Sequence, residues 1–197
     1  MTGIEIARQT RNYMVELDAI EETRFTLQPA ENTQQICRRG KITVYFDATF
    51  DRLSSRSTTG LLVLNEEGEI LESKAVMHSE IVTSFTAESY AGLQAIKLGI
   101  SMGLNKIEVV GDSKTIIKKC QRSDTDKSVI GAIIRDIQSK KDRFQEIDFH
   151  FIPKAENVYA HVIAKEALKR RESFYLMGGI PDSVRQAVES FWPKAPD

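Results

Sequence analysis

A carboxylate stands in the middle of the most strand-like stretch of this chain. In KITVYFDATF, residues 41–50, Ile42, Val44, Phe46 and Ala48 alternate with Thr43, Tyr45, Asp47 and Thr49, which is the two-residue period of a β-strand. An ionised carboxylate inside an apolar strand is costly to bury unless it is paired or coordinates a metal. Any sheet that takes up this strand must therefore either give Asp47 a partner or leave it facing water at a strand end.

The rest of the pattern decides what kind of sheet that is. A second strand is expected near 59–65, turning through Asn65, Glu66, Glu67 and Gly68 into a third near 69–77, and the three predict an antiparallel meander. Residues 84–102 carry Tyr90, Leu93, Ala95, Ile96 and Leu98 at helical spacing and stop at Gly103, a usual helix-ending residue. IEVV at 107–110 reads as a fourth strand and EIDFHFI at 146–152 as a fifth. Helices are expected at 113–121, at 127–142 with Val129, Ile130, Ile133, Ile134 and Ile137, and at 157–171. A meander followed by alternating strands and helices predicts an α/β domain. Its mixed five-stranded sheet would have strands 1–3 antiparallel, strands 4 and 5 parallel, and helices on both faces.

This domain is expected to occupy 41–171. Before it, Thr2 with Glu5 resembles a capping box, Tyr13, Leu17 and Ile20 make a modest helical stripe, and 24–40 reads as a connector containing Pro29. After it, 172–197 reads as a tail: a turn at Gly178, Gly179 and Pro181, then a short docking helix with Val184, Val188, Phe191 and Trp192. With 41% hydrophobic and 28% charged residues among 197, the composition is that of a globular protein with one sizeable core. No apolar run approaches the roughly 20 residues that span a bilayer, and no signal or transit peptide is evident. The expected location is intracellular, nuclear or cytoplasmic. Cys37 and Cys120, widely spaced, suggest neither a disulfide framework nor a zinc site.

Net charge is −1, so a nucleic-acid surface would have to come from local clusters. These are Arg38, Arg39 and Lys41; Lys114, Lys118, Lys119 and Arg122; Lys140, Lys141 and Arg143; and Lys165, Lys169, Arg170 and Arg171. Two further acids draw attention by their position. Glu88 opens the 84–102 helix and Asp112 follows the fourth strand. Singly they read as a first-turn acid and an N-cap. Together with Asp47 they form a series of strand acid, helix acid and strand-end acid that can converge at one edge of a sheet.

The segments VYFDATF, the hairpin descending to LESK, TAESYAGLQAIKLGISMGL, IEVVGDSKTII and FIPKAENVYAHVIAK resemble type I ribonuclease H. More narrowly, they resemble the ribonuclease H-like domains of plant retroelement reverse transcriptases and of short plant proteins derived from them. The resemblance covers 41–170 and implies endonucleolytic hydrolysis of the RNA strand of an RNA/DNA hybrid by two divalent cations, Mg²⁺ or Mn²⁺. It implies that Asp47 bridges both ions and that Glu88 and Asp112 hold the second. The family's fourth acid lies four residues after an asparagine; here Asn157 is present but the later position holds His161. Imidazole is a poor ligand for Mg²⁺ beside softer ions, and a histidine there could ligate Mn²⁺ or pass protons. His150 is expected to be structural, beneath a helix, and His78 to sit at a strand end.

For the substrate, Lys114, Lys118 and Arg122 recur at four-residue spacing, a repulsion that a polyanion would relieve. Asn157 is a further candidate contact. Thr83, Ser84 and Thr86 are placed to offer hydroxyls or backbone N–H groups toward the 2′-hydroxyls that distinguish RNA. Proofreading-type exonucleases carry Asp-x-Glu in the first strand, where this chain has Thr49 two residues on. Integrases and transposases use a later helix glutamate as third acid. The remaining alternative is a catalytically weak or inactive domain that binds nucleic acid or a protein partner, including a reverse transcriptase context.

Overall fold

In the computed structural model, which describes residues 41–122 and 127–191, central strands buried on both faces build one sheet flanked by helices. In chain order these are β1 (Ile42–Asp51), β2 (Arg56–Leu64), β3 (Ile70–His78), α1 (Ser84–Ser101), β4 (Lys106–Gly111), α2 (Lys114–Gln121), α3 (Gly131–Lys140), β5 (Glu146–Phe151), α4 (Val158–Arg170), β6 (Phe174–Met177) and α5 (Asp182–Phe191). Spatial order is β5-β4-β1-β2-β3-β6. β1, β2 and β3 pair antiparallel, while β4 runs parallel to both β1 and β5. The N-terminal stripe, the connector with Arg38 and Arg39, and Trp192 lie outside the described residues.

The sheet has six strands where five were expected. Residues 174–177, read as tail, pair antiparallel with β3 from Ala75↔Phe174 to Glu72↔Met177. Only Phe174 is partly buried, and Tyr175, Leu176 and Met177 are exposed, so the strand is held by ladder bonds rather than by a buried stripe. β2 also begins earlier than expected, because Ser57, Thr58 and Thr59 are buried though polar. α3 begins at Gly131, and Val129, placed in its apolar stripe by spacing, is 90% exposed. Among the described residues no helix is long and apolar enough to cross a membrane.

The two strand parities of β1 supply the two cores. Val44 and Phe46 pack with Leu93, Ile96, Ile116, Ile134 and Ile137, which puts α1, α2 and α3 on one face. Tyr45 packs with Leu62, Val162, Ile163, Val184 and Val188, which puts α4 and α5 on the other. Two glycines set the depth of this packing. A Cβ on Gly111 would lie 2.5 Å from the Phe46 ring, and one on Gly60 would lie 2.1 Å from the Ala160 carbonyl oxygen of α4. Gly60 is the cross-strand neighbour of Asp47, so its missing side chain lets α4 sit close to the strand that carries the acid.

Candidate active site

The β1–β4 ladder runs from Ile42↔Ile107 to Phe46↔Gly111 and stops there, while β1 continues to Asp51 against β2 alone. Asp47 is the first residue past that stop and Asp112 the first after β4. At this point side chains from both sheet faces can meet around the free edge of β1. Asp112 turns into that gap, and Ser113 instead occupies the N-cap of α2. Glu88 descends from the second turn of α1, which Thr83 caps by accepting from the Thr86 N–H at 3.0 Å.

Asp47, Glu88 and Asp112 each offer a carboxylate oxygen within 4.8 Å of the others. Asp47 is 2% exposed; Oδ1 accepts from the Ala48 N–H at 2.8 Å and Oδ2 lies 2.7 Å from His161 Nδ1. Glu88 Oε2 is buried and has no hydrogen-bond partner among the described residues. Burial, then the charges of Asp47 and Asp112, push the Glu88 carboxyl well above the ordinary carboxylate range. Burial and then Asp47 push Asp112 up to about 8. An orphaned carboxylate oxygen among mutually repelling acids calls for a cation. The donors of the three acids are all oxygen, the set that suits Mg²⁺ or Mn²⁺, so the residues present fit a divalent metal.

His161 reaches this site only through Asp47, since the three-acid group does not extend to it. It stands one helical turn after Asn157, with its N–H donating to the Asn157 carbonyl at 3.1 Å. Asn157, expected as a substrate contact, is 0% exposed. Its Nδ2 donates to the Phe46 carbonyl at 2.8 Å, where the β4 ladder runs out, so it fastens the start of α4 to β1 and is shut off from solvent.

The other expected contacts divide. Thr83 and Thr86 spend their hydroxyls on each other, 2.9 Å apart, in the α1 cap, and Ser84 is half-buried in the first turn. Lys114, Lys118 and Arg122 are exposed along α2. Lys41 is tied to Glu146 and Asp148 across the sheet, which removes it from the basic clusters. Lys141 donates to the Cys120 carbonyl and lies over the Phe149 ring. His78 stacks on Tyr90 with ring centroids 5.3 Å apart, and His150 Nε2 is 3.6 Å from Glu108; neither joins the three-acid group. Phe151, at the end of β5, is 40% exposed.

Sequence reasoning passed over Lys154. Its charge favours the ionised forms of both Glu88 and Asp112. Its only sequence signal is a place in the short loop before Asn157.

The reverse transcriptase-like family matches residues 45–167. No protein of curated function matches significantly. Among solved structures, RNase H1 from the halophilic archaeon Halobacterium salinarum superposes with a TM-score of 0.61 at 23% identity, covering 66% of this chain and 99% of that one. The N-terminal RNase H domain of a Mycobacterium tuberculosis protein, solved as a maltose-binding-protein fusion, gives 0.57 at 19% identity, covering 66% and 95%. An RNase H1 known as LC11, from a compost metagenome, was solved with an RNA/DNA hybrid and gives 0.59 at 21% identity, covering 66% and 99%. The family match runs from the middle of β1 through nearly all of α4, across every element that supplies an acid, and on that ground the chain belongs to the reverse transcriptase-like family, with the fold of the ribonucleases H.

Proposed function

We propose that this chain is a ribonuclease that hydrolyses the RNA strand of RNA/DNA hybrids endonucleolytically, with Asp47, Glu88 and Asp112 holding two divalent cations, Mg²⁺ or Mn²⁺. The observation that carries this reading is the convergence of three carboxylates within 4.8 Å at the end of the β1–β4 ladder. When bound, such a pair of ions activates a water and stabilises the charge that builds on the attacking and leaving oxygens.

The protein's own part is to hold the acids in place. The Ala48 N–H and His161 fix the two oxygens of Asp47. Burial of Glu88 Oε2 and the neighbouring acids disfavour its ionised form, which a bound cation would restore. If His161 donates Nδ1–H to Asp47, its Nε2 keeps a lone pair, available to a metal softer than Mg²⁺ or to a proton in transit. Lys114 and Lys118, exposed on α2, would take backbone phosphates of the hybrid.

The test is cleavage of labelled RNA/DNA hybrid by the purified full chain in Mg²⁺ and in Mn²⁺, beside single-stranded and duplex controls. Cleavage confined to the RNA of the hybrid is the expected result. Binding of hybrid without cleavage in either metal would favour a second reading, a binding domain of the same surface. That reading is motivated by the ligand group ending at three acids with a histidine where the family has a fourth.

A further inference from the structure

Between β5 and α4 the chain is pinned beside two of the acids. The Ile152 N–H donates to the Gly111 carbonyl at 3.0 Å, one residue before Asp112. The Asn157 side chain donates to the Phe46 carbonyl at 2.8 Å, one residue before Asp47. Pro153 to Glu156 therefore bridge from the end of β4 to β1 across the gap where the acids meet. Lys154–Glu156 is wound into a tight 3-10 turn, closed by the Asn157 N–H donating to the Lys154 carbonyl at 3.0 Å. The bridge is thus held at both ends beside the acids, and Lys154 is its one cation.

Lys154 is exposed, and among the described residues it makes no ion pair. The bridge that carries it is fastened at the residues next to Asp112 and Asp47. Two residues after Asp112, Lys114 Nζ stands 5.9 Å from the centroid of the exposed Phe151 ring, and Phe151 pairs with Gly111. Lys114 at the start of α2 and Lys154 on the bridge are thus two exposed cations on the segments that follow β4 and β5. A mere counter-charge to the acids would serve best buried among them. An ammonium on a solvent-facing turn, next to acids whose charge is cancelled once cations bind, is placed to meet a phosphate.

We propose that Lys154 is a substrate-contacting residue, its ammonium binding a backbone phosphate of the RNA strand next to the phosphodiester that faces the acids. This rests on the hybrid-ribonuclease reading above. It gives the site a cation on a pinned turn that sets the register of the strand over Asp47 and Asp112.

The test uses the full chain carrying Asp47→Asn, so that cleavage does not confuse binding, with Lys154→Ala or Lys154→Arg added. Hybrid affinity is followed by fluorescence anisotropy in Mg²⁺ between about 50 and 200 mM salt. One lost phosphate contact should lower the slope of log affinity against log salt by about 0.7–0.9, which makes the affinity loss about threefold larger at the low-salt end than at the high-salt end. Arginine should restore the slope. On a hybrid whose central RNA phosphates are replaced by methylphosphonates, Lys154→Ala should change nothing further. An unaltered salt slope in Lys154→Ala on the natural hybrid overturns the proposal, whatever happens to metal affinity. An equal effect of Lys154→Ala on the methylphosphonate hybrid overturns it too. Cleavage by the Asp47→Asn background would count against the functional reading alone, whereas failure of that background to bind any hybrid would remove both.

Discussion

Replacing Asp47 by Asn should make the metal-free protein more stable while removing hybrid cleavage, and the size of the gain follows from the geometry. Two unit charges 4.8 Å apart, the limit within which the three acids offer oxygens, repel by about 3.5 kcal/mol at an effective dielectric constant near 20. The folded protein escapes part of this by keeping protons on Glu88 and Asp112. For Asp112, pushed up to about 8 by burial and then by Asp47, the linkage sign is that of a raised acid. Between about pH 4 and pH 8 the unfolded chain has released the proton and the folded one has not, so metal-free stability falls as pH rises through that window and levels off above it. Asp47→Asn removes the charge but not the burial, and it keeps an oxygen for the Ala48 N–H. The new amide can donate to His161 Nδ1 in the other tautomer. With about 1 kcal/mol set aside for a poorer hydrogen bond, the net gain near pH 8 is about 1–3 kcal/mol, or roughly 2–10 °C in Tm for a chain of this size. It should shrink toward pH 5. Urea unfolding in EDTA at pH 5, 6.5 and 8 measures all of this. Added Mg²⁺ should stabilise the wild type and not the variant. A wild-type stability in EDTA that rises from pH 5 to pH 8, or an Asp47→Asn protein weaker than wild type at pH 8, would refute the electrostatic account of the site; undiminished cleavage would refute the role of Asp47.

His161 should make Mn²⁺ a better activator than Mg²⁺ at equal concentration, and His161→Asp should raise Mg²⁺-dependent cleavage and narrow the gap; an unchanged metal preference would detach His161 from the ions. The same variant sets a carboxylate against Asp47, 2.7 Å from where the ring nitrogen stood, so its metal-free stability should drop below wild type, which thermal unfolding in EDTA reads directly. Gly60→Ala places a Cβ where the Ala160 carbonyl lies 2.1 Å away and should cost about 1–3 kcal/mol or more, with cleavage falling as α4 and His161 lift from β1; unaltered urea midpoint and activity would show that the close seat of α4 is not needed. Changing Lys114, Lys118 and Arg122 together to Ala should weaken hybrid binding and flatten its salt dependence, and an affinity indifferent to both would move the binding surface elsewhere.

Strands β1 to β5 and the three acids could be read from the chain because each announces itself locally. The alternation in 41–50 fixes which face Asp47 takes, and a charge among apolar neighbours marks it as the residue needing a partner. β6 has no such mark. FYLM is four residues long, three of them exposed, and it is a strand only because the outer edge of β3 offers unpaired backbone groups. Buried Ser57, Thr58 and Thr59 concealed the start of β2 for the opposite reason, their polarity masking positions that the sheet covers.

What stayed hidden at the site is what depends on contacts far apart in sequence. Asn157 reads as a candidate substrate contact, and its burial follows from a carbonyl 111 positions away, left unsatisfied where β4 stops short of the end of β1. Ile152 answers the corresponding Gly111 carbonyl at the end of β4. The pair of ladder ends thus does two things at once. It opens the gap in which acids from both faces of the sheet can meet, and it supplies the backbone acceptors that draw the β5–α4 bridge, and with it Lys154 and His161, over that gap. A residue type can be read one position at a time; the place where two parallel strands part company cannot, because it belongs to the register between residues 42–46 and 107–111 rather than to either segment. Shifting that register by one residue would exchange the faces of Phe46 and Asp47 relative to β4, and so the Phe46 ring against Gly111 guards the geometry of the acids as much as it fills the core.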